Sequence, residues 1–125
     1  MVGDWRDGGG ARTPEELEML LEDAFVTRDR EMLAGLFEGR AVVATGGEGP
    51  VRGGDAVTRL VAAWEGGGTY IADPLRVVQA RDIALILGTW AINVARRGRD
   101  GAWRYAIAAP FAGDESEDTD AKEEQ

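Results

Sequence analysis

The stretch from residue 83 to residue 95 reads IALILGTWAINVA and is the longest run in the chain without a charged residue. Taken as one β-strand, it carries apolar side chains on both faces, because successive side chains point to opposite sides of a sheet. An antiparallel strand with one face in water would instead alternate apolar and polar residues. We therefore predict that helices cover one face of Ile83–Ala95 and a second copy of the chain covers the other, so that the protein forms a homodimer through the sheet face.

Helices are predicted ahead of this stretch. The first begins at the run Thr13-Pro14-Glu15-Glu16, where a threonine can cap the helix, a proline suits its first turn and a glutamate completes a capping box. Its apolar stripe recurs at helical spacing and comprises Leu17, Leu20, Leu21, Ala24 and Phe25. The acids expected mostly on the opposite, solvent-facing side are Glu15, Glu18, Glu22 and Asp23.

Two more helices and several strands complete the predicted domain. A short helix carries Met32 to Phe37 and ends near Gly39, and a third helix follows Gly53-Gly54-Asp55. The predicted strands are Ala41–Ala44, a brief return at Val51-Arg52, and a three-strand meander over Thr69–Gln79, Ile83–Ala95 and Trp103–Ala109. Early helices followed by consecutive strands favour an α+β fold with the helices on one face of the sheet. We place the domain at residues 13–111, between a disordered arm at 1–12 and a disordered acidic tail at 112–125.

The composition excludes several kinds of site. The chain has 125 residues, a formal net charge of −9, and neither cysteine nor histidine. It therefore has no residues for a disulfide, a thiolate nucleophile, a Cys/His zinc site or a histidine-based triad, and we predict no metal site and no cofactor. A strongly acidic protein is unsuited to nucleic acid or to an anionic membrane, so neither is expected as a partner. With no membrane-spanning apolar run and no secretory leader, a cytoplasmic location is expected.

The order of the predicted elements, together with local motifs, resembles a known superfamily. The motifs are Leu36-Phe37, the run Val51-Arg52-Gly53-Gly54-Asp55 before a helix, the strand segment Asp82–Trp90, and Asp100-Gly101-Ala102-Trp103 before the last strand. Over residues 14–111 this pattern is similar to the SnoaL-like branch of the nuclear transport factor 2-like (NTF2-like) superfamily. The resemblance implies a cone in which a strongly curved mixed sheet encloses helices and a pocket, and it implies dimers packed through the outer face of the sheet.

The resemblance leaves the chemistry open, because polyketide cyclases, ketosteroid isomerases, dehydratases and pocket proteins without a known reaction share this fold. Many SnoaL-like sequences carry Trp-x-x-x-x-Asp-Asn-Pro in the last strand. Here the run from Trp103 to Pro110 holds Ala108 and Ala109 at the acid and amide positions. This departure removes a natural general acid or base from the pocket wall. It favours a protein that binds a small, mostly apolar organic molecule without catalysing a reaction.

Two alternatives to a binding protein stay open. One is a cofactor-independent isomerase, cyclase or dehydratase acting on a polyketide-like or steroid-like substrate. The other is a dimeric interaction module that works through its sheet face.

The candidate site residues follow from this expectation. The catalytic candidates are Tyr70, whose hydroxyl could donate to a ligand carbonyl, and Asp73, which could enter the mouth of the pocket; structural roles in the core edge and in a turn are the alternatives. Glu48 is a further acid in a glycine-rich turn, and Asn93 needs a polar partner on its apolar strand. By strand alternation Tyr105 would lie opposite the neighbouring alanines, on the dimer side. The predicted pocket wall comprises Met19, Phe25, Leu60, Trp64, Tyr70, Trp90, Ala106 and Ala108.

Overall fold

The structure, a computed structural model, describes residues 10–44, 49–68 and 70–110. Within these ranges the chain forms three helices and six strands. In chain order they are α1 (Pro14–Thr27), α2 (Arg30–Gly35), β1 (Phe37–Val43), β2 (Val51–Arg52), α3 (Gly54–Glu65), β3 (Pro74–Ala80), β4 (Ile83–Gly88), β5 (Ala91–Arg97) and β6 (Trp103–Pro110). The first nine residues of the predicted arm, Glu48 and the acidic tail lie outside the described residues.

Helix α1 begins where the sequence predicts. Thr13 is its N-cap, and the Thr13 hydroxyl accepts a hydrogen bond from the backbone N–H of Glu16 at 3.0 Å. The Glu16 carboxylate accepts from the backbone N–H of Arg12 at 2.6 Å, one residue earlier than in a standard capping box. The helix ends at Thr27, and the next residue, Arg28, takes the left-handed conformation with φ of 55°.

Helix α2 is shorter than predicted. It ends at Gly35, and Phe37, which we placed in the helix, is the first residue of β1. Pairing with β6 supplies the reason: the backbone N–H of Tyr105 donates to the carbonyl of Leu36 at 2.8 Å, and Phe37 lies beside Tyr105 in the sheet. Because a distant strand satisfies this backbone, the helical pattern does not continue to Gly39.

All six strands form one mixed sheet in the order β2-β1-β6-β5-β4-β3. Strands β1 and β6 are parallel, and the other neighbouring pairs are antiparallel. The meander therefore has four strands, β3 to β6, and not the three that we predicted. Buried residues of all three helices join the buried side chains of the sheet in one core, which confirms the predicted α+β class.

The prediction of a single strand over Ile83–Ala95 is wrong, because this stretch folds into the hairpin of β4 and β5 and turns at Thr89 and Trp90. Asp73 holds the turn: its carboxylate accepts from the Thr89 hydroxyl at 2.8 Å, and its carbonyl accepts from the Thr89 N–H at 3.2 Å. Gly88 permits this close approach, since a Cβ at that position would lie 3.2 Å from the Asp73 carbonyl oxygen. Hydropathy alone conceals the turn because both strands of the hairpin are apolar.

A β-bulge in β6 decides which of its side chains face the helices. The register of β5 against β6 shifts between Val94 and Ala95, which makes Ala106 the extra residue. Tyr105 and Ala108 are therefore both buried, at 0% and 3% exposure, although they are three positions apart. For this reason the prediction that Tyr105 lies opposite Ala108, on the dimer side, is wrong.

The outer face of the meander is apolar and exposed. One residue from each of its four strands stands in register, and these residues form a line that we call the outer row: Val78, Leu85, Val94 and Ile107. Three members expose substantial surface, at 45% for Val78, 37% for Leu85 and 42% for Ile107. The apolar outer face that we expected on one long strand is thus spread over four shorter ones.

Part of the predicted arm is attached to the sheet. Ala11 is buried, and its carbonyl accepts a hydrogen bond from the backbone N–H of Trp103 at 2.9 Å. Trp103 is itself buried at the start of β6. The ordered domain therefore includes Ala11, two residues ahead of the predicted boundary.

Candidate functional site

The buried face of α1 carries one acidic side chain. The buried positions of this helix are Pro14, Leu17, Glu18, Leu21, Ala24 and Phe25, which recur at helical spacing. Glu18 is 2% exposed, so the prediction that it faces solvent is wrong. The stripe that packs against the sheet includes Glu18, whereas Leu20, which we placed in it, is only half-buried.

Three polar side chains converge on the Glu18 carboxylate. The Tyr70 hydroxyl donates to its Oε1 at 2.6 Å, the Tyr105 hydroxyl donates to its Oε2 at 2.5 Å, and the Asn93 amide donates to its Oε2 at 2.8 Å. The Asn93 amide also lies 3.3 Å from the Tyr70 hydroxyl oxygen. We call Glu18, Tyr70, Asn93 and Tyr105 the tetrad.

Each member of the tetrad comes from a different part of the fold. Glu18 lies on α1, Asn93 on β5 and Tyr105 on β6, whereas Tyr70 lies in the irregular segment between α3 and β3. The side-chain oxygen of Asn93, Oδ1, accepts a hydrogen bond from the backbone N–H of Ala109 at 3.1 Å. This bond orients the side-chain NH₂ group of Asn93 toward Glu18. The bulge in β6 is what brings Tyr105 to the buried side, so the tetrad depends on the sheet register.

Both tyrosines are held in the protonated form. Burial, followed by the charge of Glu18, raises the pKa of the Tyr70 hydroxyl above its ordinary value. The same two causes, in the same order, raise the pKa of Tyr105, which is completely buried. A protonated phenol can donate a hydrogen bond, and both phenols donate to the same carboxylate.

The Glu18 carboxylate is held by neutral donors. Within residues 10–44, 49–68 and 70–110, the ion pairs are Arg96 with Glu38, Arg97 with Asp82 and Arg104 with Asp100, and none involves Glu18. Replacing a buried polar cluster by apolar residues of similar volume is often neutral or stabilising. Fold stability therefore does not by itself account for a buried carboxylate at this position.

Aromatic rings flank the two tyrosines. The ring centroid of Phe25 lies 6.1 Å from that of Tyr70 and 5.4 Å from that of Trp64. On the other side, the ring centroid of Phe37 lies 5.1 Å from that of Tyr105. The tetrad is thus a buried polar cluster with aromatic neighbours.

A surface groove of about 290 Å³ lies along α1. Its lining residues are Glu15, Met19, Glu22, Asp23, Ala72 and Pro74. Glu22 follows Glu18 by one helical turn, and its carboxylate accepts from the backbone N–H of Ala72 at 2.6 Å. The segment after α3 therefore contacts the tetrad at Tyr70 and the groove at Ala72.

The structure places the predicted wall residues in several environments. Phe25, Leu60 and Trp64 are buried in the core, and Tyr70 belongs to the tetrad. Ala108 is on the buried side of β6, Ala106 occupies the bulge, and Met19 is 63% exposed and lines the groove.

Two of the predicted site residues lie at the hairpin turn. Trp90 is 48% exposed in the hairpin turn, so it is not an interior wall residue. Asp73 is also exposed, and its carboxylate accepts from the Thr89 hydroxyl, so its role is to hold the hairpin turn. This is the turn role that we had named as its alternative.

Sequence reasoning missed Glu18 and the inward position of Tyr105, and it left the partner of Asn93 open. One signal was available for Glu18: a helical stripe that begins at Pro14 passes through it. Tyr105 had no such signal, because a bulge changes the alternation of a strand without a marker in the sequence.

In the part of the chain that the structure describes, no helix is long and apolar enough to cross a membrane. Across the same residues, no group of three or more acidic side chains is arranged to hold a metal ion.

Comparison by sequence finds no matching family model and no matching curated protein. Comparison by structure finds several similar chains. An NTF2-like protein with a cystatin-like fold from Novosphingobium aromaticivorans has a TM-score of 0.63 and 19% identity, over 82% of this chain and 81% of that one. A ketosteroid isomerase-like protein from Erwinia carotovora has a TM-score of 0.60 and 16% identity, over 78% of this chain and 91% of that one.

A third similar structure is a domain of unknown function with a cystatin-like fold from Nostoc punctiforme, with a TM-score of 0.62 and 16% identity, over 78% of this chain and 73% of that one. At these identities the similarity establishes the fold and not an activity. The chain has the NTF2-like, cystatin-like fold, as the SnoaL-like resemblance implied.

Proposed function

We propose that this NTF2-like chain binds a small, mostly apolar organic molecule, with the tetrad as the polar end of the site and the groove along α1 as its entrance. The observation that carries the proposal is the buried Glu18 carboxylate, held by three donors between aromatic walls. Such an arrangement is costly to bury and adds little stability over apolar packing. Binding of a ligand to the tetrad would account for a buried polar cluster that fold stability does not explain.

The groove supports an entrance beside the tetrad. Met19, Ala72 and Pro74 give it an apolar wall, and Ala72 is two residues from Tyr70. Tyr70 lies in a segment that is neither helix nor strand. A displacement of this segment would join the groove to the tetrad. It would break the contacts of Tyr70 with Glu18 and Phe25, but not the backbone hydrogen bonds of a strand or a helix.

The test begins with native mass spectrometry of the gently purified protein, which reports a retained small molecule as a discrete added mass. We expect an adduct, and we expect Met19→Arg to reduce its occupancy at least tenfold because the new side chain fills the groove. Val26→Arg is the matched control, since Val26 lies on the same helix at 67% exposure and does not line the groove. A bare wild-type chain whose melting temperature is unchanged by a panel of small aromatic compounds would contradict the proposal.

We also propose that the outer row pairs with a second copy of the chain to form a homodimer. The supporting observation is the register of four aliphatic side chains across β3 to β6, three of them well exposed. Sedimentation velocity is expected to show a dimer that Ile107→Glu dissociates. Ile71→Glu, at an exposed position outside the strands, is expected to leave it intact. A monomeric wild-type protein would contradict this assembly and favour an interaction module with a different partner.

An acid–base enzyme is the second candidate function. The tetrad favours it because a buried carboxylate can take a proton from one atom of a substrate, and a phenol whose bond to that carboxylate is broken can donate to another. An isomerase, cyclase or dehydratase of this kind needs no cofactor. Isomerisation of a β,γ-unsaturated ketone, measured by absorbance, tests it: activity is expected to fall at least 100-fold in Glu18→Gln, and no activity in the wild type would exclude this reaction.

A further inference from the structure

The hydrogen bonds of the tetrad leave it able to accept and not to donate. Both tyrosine hydroxyl protons are directed at Glu18. The Asn93 amide donates to Glu18 and faces the Tyr70 oxygen, while its carbonyl is used by Ala109. A phenol has one proton to donate, so neither tyrosine has one left for a ligand carbonyl while these bonds persist.

The two oxygens of the Glu18 carboxylate accept different numbers of hydrogen bonds. Oε2 of Glu18 receives two hydrogen bonds, from Tyr105 and Asn93, whereas Oε1 receives one, from Tyr70, among the described residues. Each carboxylate oxygen has two lone pairs. Oε1 is therefore the atom at which a further donor can bind, either beside the Tyr70 hydroxyl or in its place.

Tyr70 is the member of the tetrad that a ligand could replace. The other three side chains lie on α1, β5 and β6, whose backbones are held by regular hydrogen bonding. Tyr70 lies outside any helix or strand. A ligand that takes over its bond to Oε1 displaces the Tyr70 ring from Phe25 without breaking the backbone hydrogen bonds of the helix or the sheet.

The charge around this atom favours a cation. No arginine in the described residues forms an ion pair with Glu18, so its three partners are all neutral. The groove one helical turn away carries three more acids, Glu15, Glu22 and Asp23. The Phe25 ring lies beside Tyr70, and an aromatic ring attracts cations to its face.

We propose that the ligand is an organic ammonium ion with a compact apolar body, whose N–H groups donate to Oε1 of Glu18. This inference rests on the proposed binding function and specifies its ligand class. It differs from a ketone or enone, whose carbonyl oxygen requires a donor that the tetrad has already committed to Glu18.

Two compounds of nearly identical shape test the inference. 1-Phenylethylamine is a protonated donor at pH 7.5, and acetophenone is an acceptor with the same ring and carbon skeleton. Titration of each into the full chain, followed by calorimetry or by NMR shifts, is expected to show at least tenfold tighter binding of the amine. The neutral donor 1-phenylethanol is expected between them.

Two variants connect the preference to Glu18. Glu18→Gln is expected to abolish the amine preference, whereas Glu31→Gln removes the same charge from an exposed position on α2 and is expected to retain it. Tyr70→Phe preserves the carboxylate and removes its competitor at Oε1, so it is expected to bind the amine at least threefold more tightly than the wild type. This second variant keeps the test decisive if Glu18→Gln fails to fold.

The outcomes separate the inference from the proposed function. Tighter binding of acetophenone would overturn the ammonium inference, leave the binding function standing and favour the acid–base enzyme. An amine preference that persists in Glu18→Gln, or weaker amine binding in Tyr70→Phe, would also overturn the inference, because the amine would then be bound by the groove acids alone. Binding of neither compound would overturn the inference and the proposed function together.

Discussion

The inner and outer faces of the four-strand meander each depart from the usual distribution of polar and apolar side chains. On the inner face, Asn93 and Tyr105 carry an amide and a hydroxyl into the buried side, where both bond to Glu18. On the outer face, the outer row presents aliphatic side chains that are up to 45% exposed. A self-sufficient domain would be expected to turn the polar groups to water and the aliphatic groups to the core.

Each face carries groups whose placement costs the isolated chain stability. A protein with a carboxylate buried among hydroxyls is often no more stable than the same protein with apolar side chains of similar volume at those positions. An aliphatic side chain left in water forgoes about 25 cal/mol for each Å² that burial would remove from solvent. We relate the inner face to the proposed ligand and the outer face to the proposed second copy. Variants that change one face at a time separate these two explanations.

The largest effect is expected on the inner face. Glu18→Ala leaves two hydroxyls and an amide buried without their acceptor, so the free energy of unfolding is expected to fall by about 3 to 5 kcal/mol. Glu65→Ala, at an exposed position of α3, is expected to change it by less than about 0.5 kcal/mol. Urea denaturation followed by tryptophan fluorescence measures both. Equally small losses would mean that the tetrad is not formed in solution.

Two neighbours on β4 compare the faces directly. Ile86 is 0% exposed on the inner side, and Ile86→Ala is expected to cost about 3 kcal/mol. Leu85 belongs to the outer row, and Leu85→Ala is expected to cost less than about 1 kcal/mol in dilute protein. If the homodimer forms, the cost of Leu85→Ala rises with protein concentration. Denaturation at two concentrations distinguishes these cases, and a loss at Leu85 equal to that at Ile86 would contradict the exposed outer row.

The two tyrosines of the chain both belong to the tetrad, so tyrosinate absorbance during an alkaline titration reports on the tetrad alone. Their pKa values are raised by folding, whereas in the unfolded chain both ionise near pH 10. The unfolded state therefore releases protons first, and above about pH 10 stability is expected to fall by up to about 1.4 kcal/mol per tyrosine per pH unit. Absorbance at 295 nm is expected to rise only together with unfolding. Tyrosinate absorbance from the folded protein at pH 10.5 would show an open tetrad.

The smallest effect is expected at the turn that divides the apolar stretch. A Cβ on Gly88 would lie 3.2 Å from the Asp73 carbonyl and 3.3 Å from that of Ala91, so Gly88→Ala is expected to destabilise by about 1 kcal/mol. A Cβ added at Gly35 would meet no atom of another part of the chain within 4 Å. Gly35→Ala is therefore expected to stabilise the protein by about 0.5 kcal/mol. Thermal denaturation shows whether each variant is more or less stable than the wild type. A Gly88→Ala protein at least as stable as the wild type would show that the hairpin is not as tight as the structure has it.

Much of the fold could be predicted from local patterns. The Thr13 cap, the stop at the glycines after α3, the return strand at Val51-Arg52 and the connection at Ala80–Asp82 all depend on residues within a few positions of one another. The α+β class followed from the order of these elements. Such features could be predicted because the interactions that cause them are short in sequence.

The errors occurred where a distant part of the chain decided the outcome. Asp73 holds the turn at Thr89 that divides the apolar stretch. Pairing with β6 ends α2 before Phe37. Neither interaction leaves a local signal, because the residues at each position are compatible with both conformations.

The candidate site shows the same division. The sequence by itself determined that no cysteine, histidine or metal cluster of these residues could act, and it identified Tyr70 as a candidate. Only the tertiary structure brought Glu18 to the buried face of α1 and joined it to Asn93 and Tyr105, which are 75 and 87 residues away in the chain. The physical reason is that the direction of a side chain depends on helix packing and on a bulge in the sheet register. Both are settled by contacts between elements and not by any one of them.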